Sequence, residues 1–194
     1  MRIGDKIPDI ADFDWVLDEQ KSAMGGNDTF TYSHTAGEVH LIDFWATWCP
    51  PCQGPMAHNQ KMLEENESKW AGKVKIFGFS IDNSIDPIKA RVEERGWKKP
   101  VQVHARNGKC KADKLFKFGG IPFCVIVDAE GKIVFKGHPA NRPDLVKDFD
   151  DLLAGNKISG AGTTEAGDSD DDDDGDAPSM TSADAASAVA DFES

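Results

Sequence analysis

Asp43-Phe44-Trp45-Ala46-Thr47-Trp48-Cys49-Pro50-Pro51-Cys52 is the stretch on which the fold turns. It continues Val39-His40-Leu41-Ile42, so that residues 39–45 form a mostly apolar run of strand length. A run without apolar/polar alternation suits a central strand covered on both faces rather than a half-exposed one. After Cys52, residues 56–69 turn polar and Glu-rich, with Met56, Leu63 and Trp70 recurring one or two helical turns apart. That spacing predicts a helix. The local unit is therefore a buried strand that feeds a helix through a loop carrying two cysteines.

The cysteines have the spacing that disulfide exchange requires. One thiol must be exposed and ionised to attack, and a second must lie close enough to expel the mixed disulfide. Cys49 is expected at the start of the helix, where backbone N–H groups and the helix dipole favour the thiolate and such thiols have pKa values of ~3.5–7.5 instead of ~8.5. Cys52 follows by nearly one turn. Pro50 fits a first helical turn, where a missing N–H costs little, and Pro51 stiffens the loop. A Cys-x-x-Cys pair by itself serves equally as half of a zinc site, but zinc takes four ligands. Cys110 and Cys124 stand alone, and His34, His40, His58, His104 and His138 show no ligand spacing relative to them. With the flanking tryptophan, the double proline and a downstream Ile121-Pro122, the redox reading is preferred, with no metal and no cofactor expected.

Outward from this unit, residues 73–81 read as a strand and residues 84–95 as a helix with Pro87 in its first turn and Gly96 at its end. A βαβα order signals a parallel sheet. Residues 101–104 form a short strand candidate and residues 111–117 a short helix. Two apolar runs, residues 123–128 and 132–136, flank Ala129-Glu130-Gly131, a hairpin signal that adds two antiparallel strands. Asn141 is read as the cap of a last helix with Pro143 and Asp144 in its first turn, and with Leu145, Phe149, Leu152 and Leu153 on one face. Ahead of the central strand, residues 3–32 read as an irregular lead-in and short strands around a turn at Gly25-Gly26-Asn27-Asp28. The expected fold is α/β: a central mixed sheet flanked by helices, with an N-terminal strand extension.

At this point the chain resembles the thioredoxin superfamily, and within it the tryparedoxin, nucleoredoxin and TlpA-like (redoxin) branches that carry Trp-Cys-Pro-Pro-Cys. The resemblance runs from Val39 to about Leu153 through the cysteine loop, Phe79-Ser80-Ile81-Asp82, Gly120-Ile121-Pro122 and Ala129-Glu130-Gly131-Lys132. It implies a protein-disulfide reductase cycling through a Cys49–Cys52 disulfide. It further implies that Pro122 is a cis-proline facing the pair, that the Ile121 backbone pairs with the substrate chain, and that Trp48, Pro50 and Pro51 border the substrate. Asp43 matches a buried acid that relays a proton to and from the resolving cysteine, a role consistent with burial raising a carboxyl pKa toward neutrality. One departure concerns the helix: the superfamily's proline eight residues after the first cysteine is replaced here by Ala57, and the proline instead stands at Pro55. Peroxiredoxin is disfavoured because no Pro-x-x-x-Thr-x-x-Cys pattern occurs.

Composition sets the frame. The 194 residues are 39% hydrophobic with a net charge of −12. From Gly155 onward there are 11 acidic residues and one basic, so this segment holds −10 of the total and leaves residues 1–154 near neutral. Residues 1–154 are read as the thioredoxin-like domain and 155–194 as a disordered acidic tail too poor in large apolar residues to offset the entropy of ordering. Within it Ser169, ahead of Asp170 to Asp174, is a candidate phosphorylation site. No basic face is available for nucleic acid, and no segment approaches the roughly 18 apolar residues of a membrane span. Without a run of secretory length at the N-terminus, a cytoplasmic location is expected, a nuclear one being compatible. Expected partners are disulfide-bearing protein substrates and an upstream dithiol reductant, the protein acting as a monomer. The rival from another class is a non-catalytic interaction module using the fold's groove and the acidic tail to recruit partners. Cys124, on an apolar strand, reads as a small core residue, and Cys110 as an exposed, oxidisable thiol.

Overall fold

The structure, a computed structural model, describes residues 1–105 and 111–158, with the backbone alone for 111–113. Cys110 and everything from residue 159 on, Ser169 and the acidic run included, lie outside the described residues. The chain divides into two units, Met1–Thr164 and Glu165–Ser194, and all described residues belong to the first.

Among the described residues seven strands form one sheet: β1 (Ile10–Trp15), β2 (Phe30–Tyr32), β3 (Val39–Trp45), β4 (Val74–Ser80), β5 (Val101–Ala105), β6 (Phe123–Val127) and β7 (Ile133–Gly137), in the order β2-β1-β5-β4-β3-β6-β7. The three central strands β5, β4 and β3 run parallel, and the pairs on either side are antiparallel. This is the mixed sheet with an N-terminal extension expected from the sequence. All seven residues of β3 are buried, which is why its sequence is apolar without alternation.

Helix α2 (Gln53–Glu65), α4 (Asp86–Arg95) and α6 (Leu145–Leu153) cover one face, with the short α3 (Glu67–Trp70) following α2. On the other face Phe116 of α5 (Lys111–Phe116) packs among Phe44, Phe79 and Val103. Position 78 leaves no room for a side chain between β5 and α2: a Cβ on Gly78 would stand 2.4 Å from Gln102 Oε1 and 3.2 Å from Met56 Cε. A side chain there would first displace the Gln102 side chain, whose Nε2 donates to Trp97 O at 3.1 Å.

Several local boundaries differ from the sequence reading. Asp18–Ala23 forms a helical turn, α1, where only strand and turn were expected. The helix after the cysteines starts earlier than residue 56, at Gln53, and breaks at Asn66. Asp144, not Asn141, caps α6: its Oδ1 accepts the Lys147 N–H at 3.0 Å, while Asn141 belongs to a separate 3-10 turn, Pro139–Asn141. Gly155 ends α6 in the left-handed region, yet Ile158 is buried against Leu152 and Phe149. Packing therefore continues four residues past the Ala154 boundary drawn from composition.

Candidate active site

The site forms where β3 ends, at the carboxyl edge of the parallel strands, the usual location for a binding crevice in open α/β sheets. Cys49 and Cys52 are joined by a disulfide with an S–S distance of 2.02 Å and a Cα–Cα separation of 5.4 Å. Both residues are buried, at 4% and 1% exposure, against Trp45, Met56 and Ile88, while Trp48 beside them is 62% exposed. Trp45 is fully enclosed and meets the Trp97 ring edge-on at 5.6 Å. The two tryptophans therefore separate into a packing residue and a surface residue. Ile121 packs against the same cluster, and the Ile121–Pro122 bond is cis. The structure thus gathers Cys49, Cys52, Trp48, Pro50, Pro51, Ile121 and Pro122 at one edge.

The start of α2 departs from expectation. A 3-10 turn, Pro50–Cys52, stands between Cys49 and the helix proper, and Cys49 is its cap in an extended conformation. In this turn the Cys52 N–H bonds Cys49 O at 3.2 Å, the Gln53 N–H bonds Pro50 O, and the two prolines have no N–H to give. The turn's amides are therefore spent on carbonyls, so Cys49 gains less from a helix start than its sequence position implied. Pro55 falls at the third position of α2, within the first turn, where proline is tolerated.

Three residues that the sequence reading did not assign hold the loop. Asp82 is buried and its carboxylate accepts the Thr47 N–H at 2.9 Å, the Thr47 hydroxyl at 2.5 Å and the Ser80 hydroxyl at 2.7 Å. Gln53 Nε2 donates to Cys49 O at 3.2 Å, and Arg91 of α4 donates to Gln53 Oε1 at 2.7 Å. Asp82 lay in the quoted strand end, and a carboxylate directly after the mostly apolar residues 76–81 was the signal available for it.

Asp43 is buried at 2% exposure on the α2 face of β3, its backbone in register with Gly78 on one side and Cys124 on the other. Burial pushes its pKa up to about 7, against the lowering effect of one hydrogen bond, from Asn59 Nδ2 to Asp43 Oδ2 at 2.7 Å. Such a carboxyl exchanges protons near neutral pH. Asn59 was also missed; it is the polar member of the buried α2 stripe Met56, Asn59 and Met62. Cys124 is buried and free, and burial, with Asp43 adding to it, raises its thiol pKa well above the ordinary value. That makes it a core residue rather than a nucleophile. Among the described residues no three His, Cys, Asp or Glu side chains gather as metal ligands.

Comparison with known proteins agrees with this geometry. The Redoxin family model matches residues 2–153. A thiol-disulfide oxidoreductase ResA of Oceanobacillus iheyensis is 30% identical over 132 residues, covering 68% of this chain and 62% of the relative. The thiol:disulfide interchange protein DsbE of Allochromatium vinosum is 29% identical over 57% of this chain and 56% of its own length. The chain thus spans about three-fifths of the length of these curated relatives. Among solved structures, the thioredoxin domain of a thiol-disulfide oxidoreductase from Bacteroides vulgatus superposes with a TM-score of 0.55 at 26% identity, over 70% of this chain and 88% of that one.

Proposed function

The chain belongs to the Redoxin family, and from that premise we propose that it is a thiol-disulfide oxidoreductase reducing protein disulfides through Cys49 and Cys52. The observation that carries the reading is the Cys49–Cys52 disulfide set beside Ile121–Pro122 and the exposed Trp48. In the reduced protein the Cys49 thiolate attacks one sulfur of a substrate disulfide. A Cys49–substrate bond forms, and the other substrate sulfur leaves as a thiolate that takes a proton from water. Cys52 then gives its proton toward Asp43 and attacks Cys49 Sγ. The Cys49–Cys52 bond forms, the bond to substrate breaks with the second substrate sulfur leaving as a thiolate, and two electrons have passed to the substrate. A dithiol donor reverses the change in the protein by the same exchange. Trp48 and the Ile121 backbone bind the substrate chain, and the cytoplasm, where such donors are maintained, is the compartment we assign.

Reduction of insulin disulfides by the purified protein, with a dithiol supplied, tests this. Cys49→Ser is expected to abolish turnover, and Cys52→Ser to accumulate a mixed disulfide visible in the intact mass. Unchanged reduction by Cys49→Ser overturns catalysis and leaves the interaction-module reading in place.

A further inference from the structure

A cavity of about 390 Å³ lies beside α2, and it joins parts of the site that the disulfide alone does not connect. At one end it is lined by Pro51 and Gly54, the residues bracketing Cys52 and Gln53; deeper in, by Asp43 and Asn59. His58 of α2 and His138, just after β7, also line it, and both are exposed, so the cavity reaches the surface at two imidazoles. A space this large has room for several waters, since one needs roughly 10–15 Å³ of such volume and two to four polar partners. The partners are present: the carboxyl of Asp43, the amide of Asn59 and the rings of His58 and His138.

The chemistry creates a need for such a space. When Cys52 attacks, its proton passes to Asp43, and a carboxyl at 2% exposure must return that proton to solvent before the next cycle. Burial on the sheet side leaves few routes. Gly78 and Cys124 flank Asp43 in the sheet, and neither exchanges a proton readily: one has no side chain, and the other's thiol is held protonated by burial. The Arg142 guanidinium, which lines the same cavity, bonds the Asp148 carboxylate through Nε at 2.7 Å. Besides Cys52, the source of the proton, what remains is Asn59, which cannot titrate, and the cavity with its two histidines; His138 Nδ1 accepts the Ala140 N–H at 3.1 Å, which leaves its Nε2 to the cavity.

Resting on the exchange reaction above, we propose that this cavity is the proton port of the site: His58 and His138 pass protons between solvent and Asp43 through water, and Asn59 is a positioning residue that holds the carboxyl at the cavity. No step changes the electron balance. The proton leaving Cys52 is accepted by Asp43, handed to water in the cavity and released at an imidazole, and reduction of the disulfide runs the path backwards.

The test uses an aromatic disulfide whose released thiolate is coloured, mixed with the reduced full-length protein. Attack by Cys49 releases the first coloured thiolate, and resolution by Cys52 releases the second. In His58→Leu/His138→Leu, changed only at exposed positions, the second release is expected to slow about tenfold at low buffer concentration, and added imidazole buffer restores it. In Asn59→Leu the hydrogen bond that lowers the Asp43 pKa is gone, so the pH midpoint of the second release is expected to rise by about one unit. Asn59→Ser, which keeps a donor, gives the same reading with a smaller rise should the leucine variant not fold. Failure to release even the first thiolate defeats the exchange reading itself. A normal first release followed by a second whose rate and pH midpoint match wild type in the double-histidine and Asn59 variants overturns the proton port alone.

Discussion

Replacing Asp43 by asparagine should stabilise the protein, and only on the alkaline side of the carboxyl's ordinary pKa. In the folded chain Asp43 has a pKa of about 7, against an ordinary value of 3.8, because burial disfavours the charged form. When a folded-state pKa is raised, the stabilisation from holding the proton is complete below the unfolded pKa and is lost as pH climbs through the folded one. Between about pH 4 and pH 7 the unfolded chain has released this proton while the folded one keeps it, so stability should fall by about 1.4 kcal/mol per pH unit. The whole loss is about 4 kcal/mol above about pH 7. The amide of an Asp43→Asn variant has no charge to bury, and its oxygen can still accept from Asn59 Nδ2, which bonds the native Asp43 at 2.7 Å. Urea unfolding of both oxidised proteins from about pH 5 to about pH 8 measures the difference directly. The variant's advantage should grow across that range by about 3 kcal/mol and level off above about pH 7. A difference that stays flat with pH would refute the reasoning, whatever its constant offset, because it would mean that Asp43 titrates alike in the folded and unfolded chains.

Two further outcomes separate the loop's scaffold from its working surface. Asp82→Ala removes the acceptor for the Thr47 amide, the Thr47 hydroxyl and the Ser80 hydroxyl, and should destabilise the fold by about 2–4 kcal/mol in urea unfolding, since partly buried donors lose their partner. Trp48→Ala, at a side chain 62% exposed, should leave stability within about 0.5 kcal/mol of wild type. The same change should raise KM for insulin about tenfold in the reduction assay, as expected when an aromatic anchor for a substrate chain is lost; an unchanged KM would remove Trp48 from the binding surface.

The mixed character of the sheet was legible because its strands carry the apolar content: β3, β4, β6 and β7 stand out as apolar runs, and Ala129-Glu130-Gly131 signals that the last pair is antiparallel. So were the cysteine pair, Asp43 and Ile121-Pro122, whose residue types are costly or unusual in their places. What could not be read depends on contacts distant in sequence. Asp82 reaches back 35 positions to Thr47, and Asn59 reaches Asp43 across 16, so neither shows a local pattern beyond being polar next to apolar neighbours. The cap of α6 was misplaced for the opposite reason. Asn141, Asp144 and Pro143 all carry cap or first-turn signals within a few residues of one another, and the choice was settled by where Leu145 and Phe149 had to fall to reach the core. The burial of Ile158 was masked by the polar composition around it.

The loop geometry also leads to an expectation about redox poise. A reduced form stabilised by donors to its thiolate makes a strong oxidant, and one without them a better reductant. Around Cys49 the Cys52 and Gln53 amides are committed to the carbonyls of Cys49 and Pro50, and positions 50 and 51 are both proline. The following turn therefore supplies the Cys49 thiolate with no uncommitted N–H, which places the pair toward the reducing end, nearer ~−270 mV than ~−120 mV. Pro51→Ala restores one amide two residues beyond the nucleophile. A hydrogen bond to a charged group contributes about 1.5–3 kcal/mol, and at about 30 mV per 1.4 kcal/mol the reduction potential should rise by roughly 30–60 mV. The Cys49 thiol pKa should fall by about one to two units at the same time. Equilibration with a glutathione or dithiothreitol buffer reads the first quantity, and the pH dependence of thiol alkylation the second. If Pro51→Ala moves neither, amide supply in this turn does not set the poise of Cys49–Cys52.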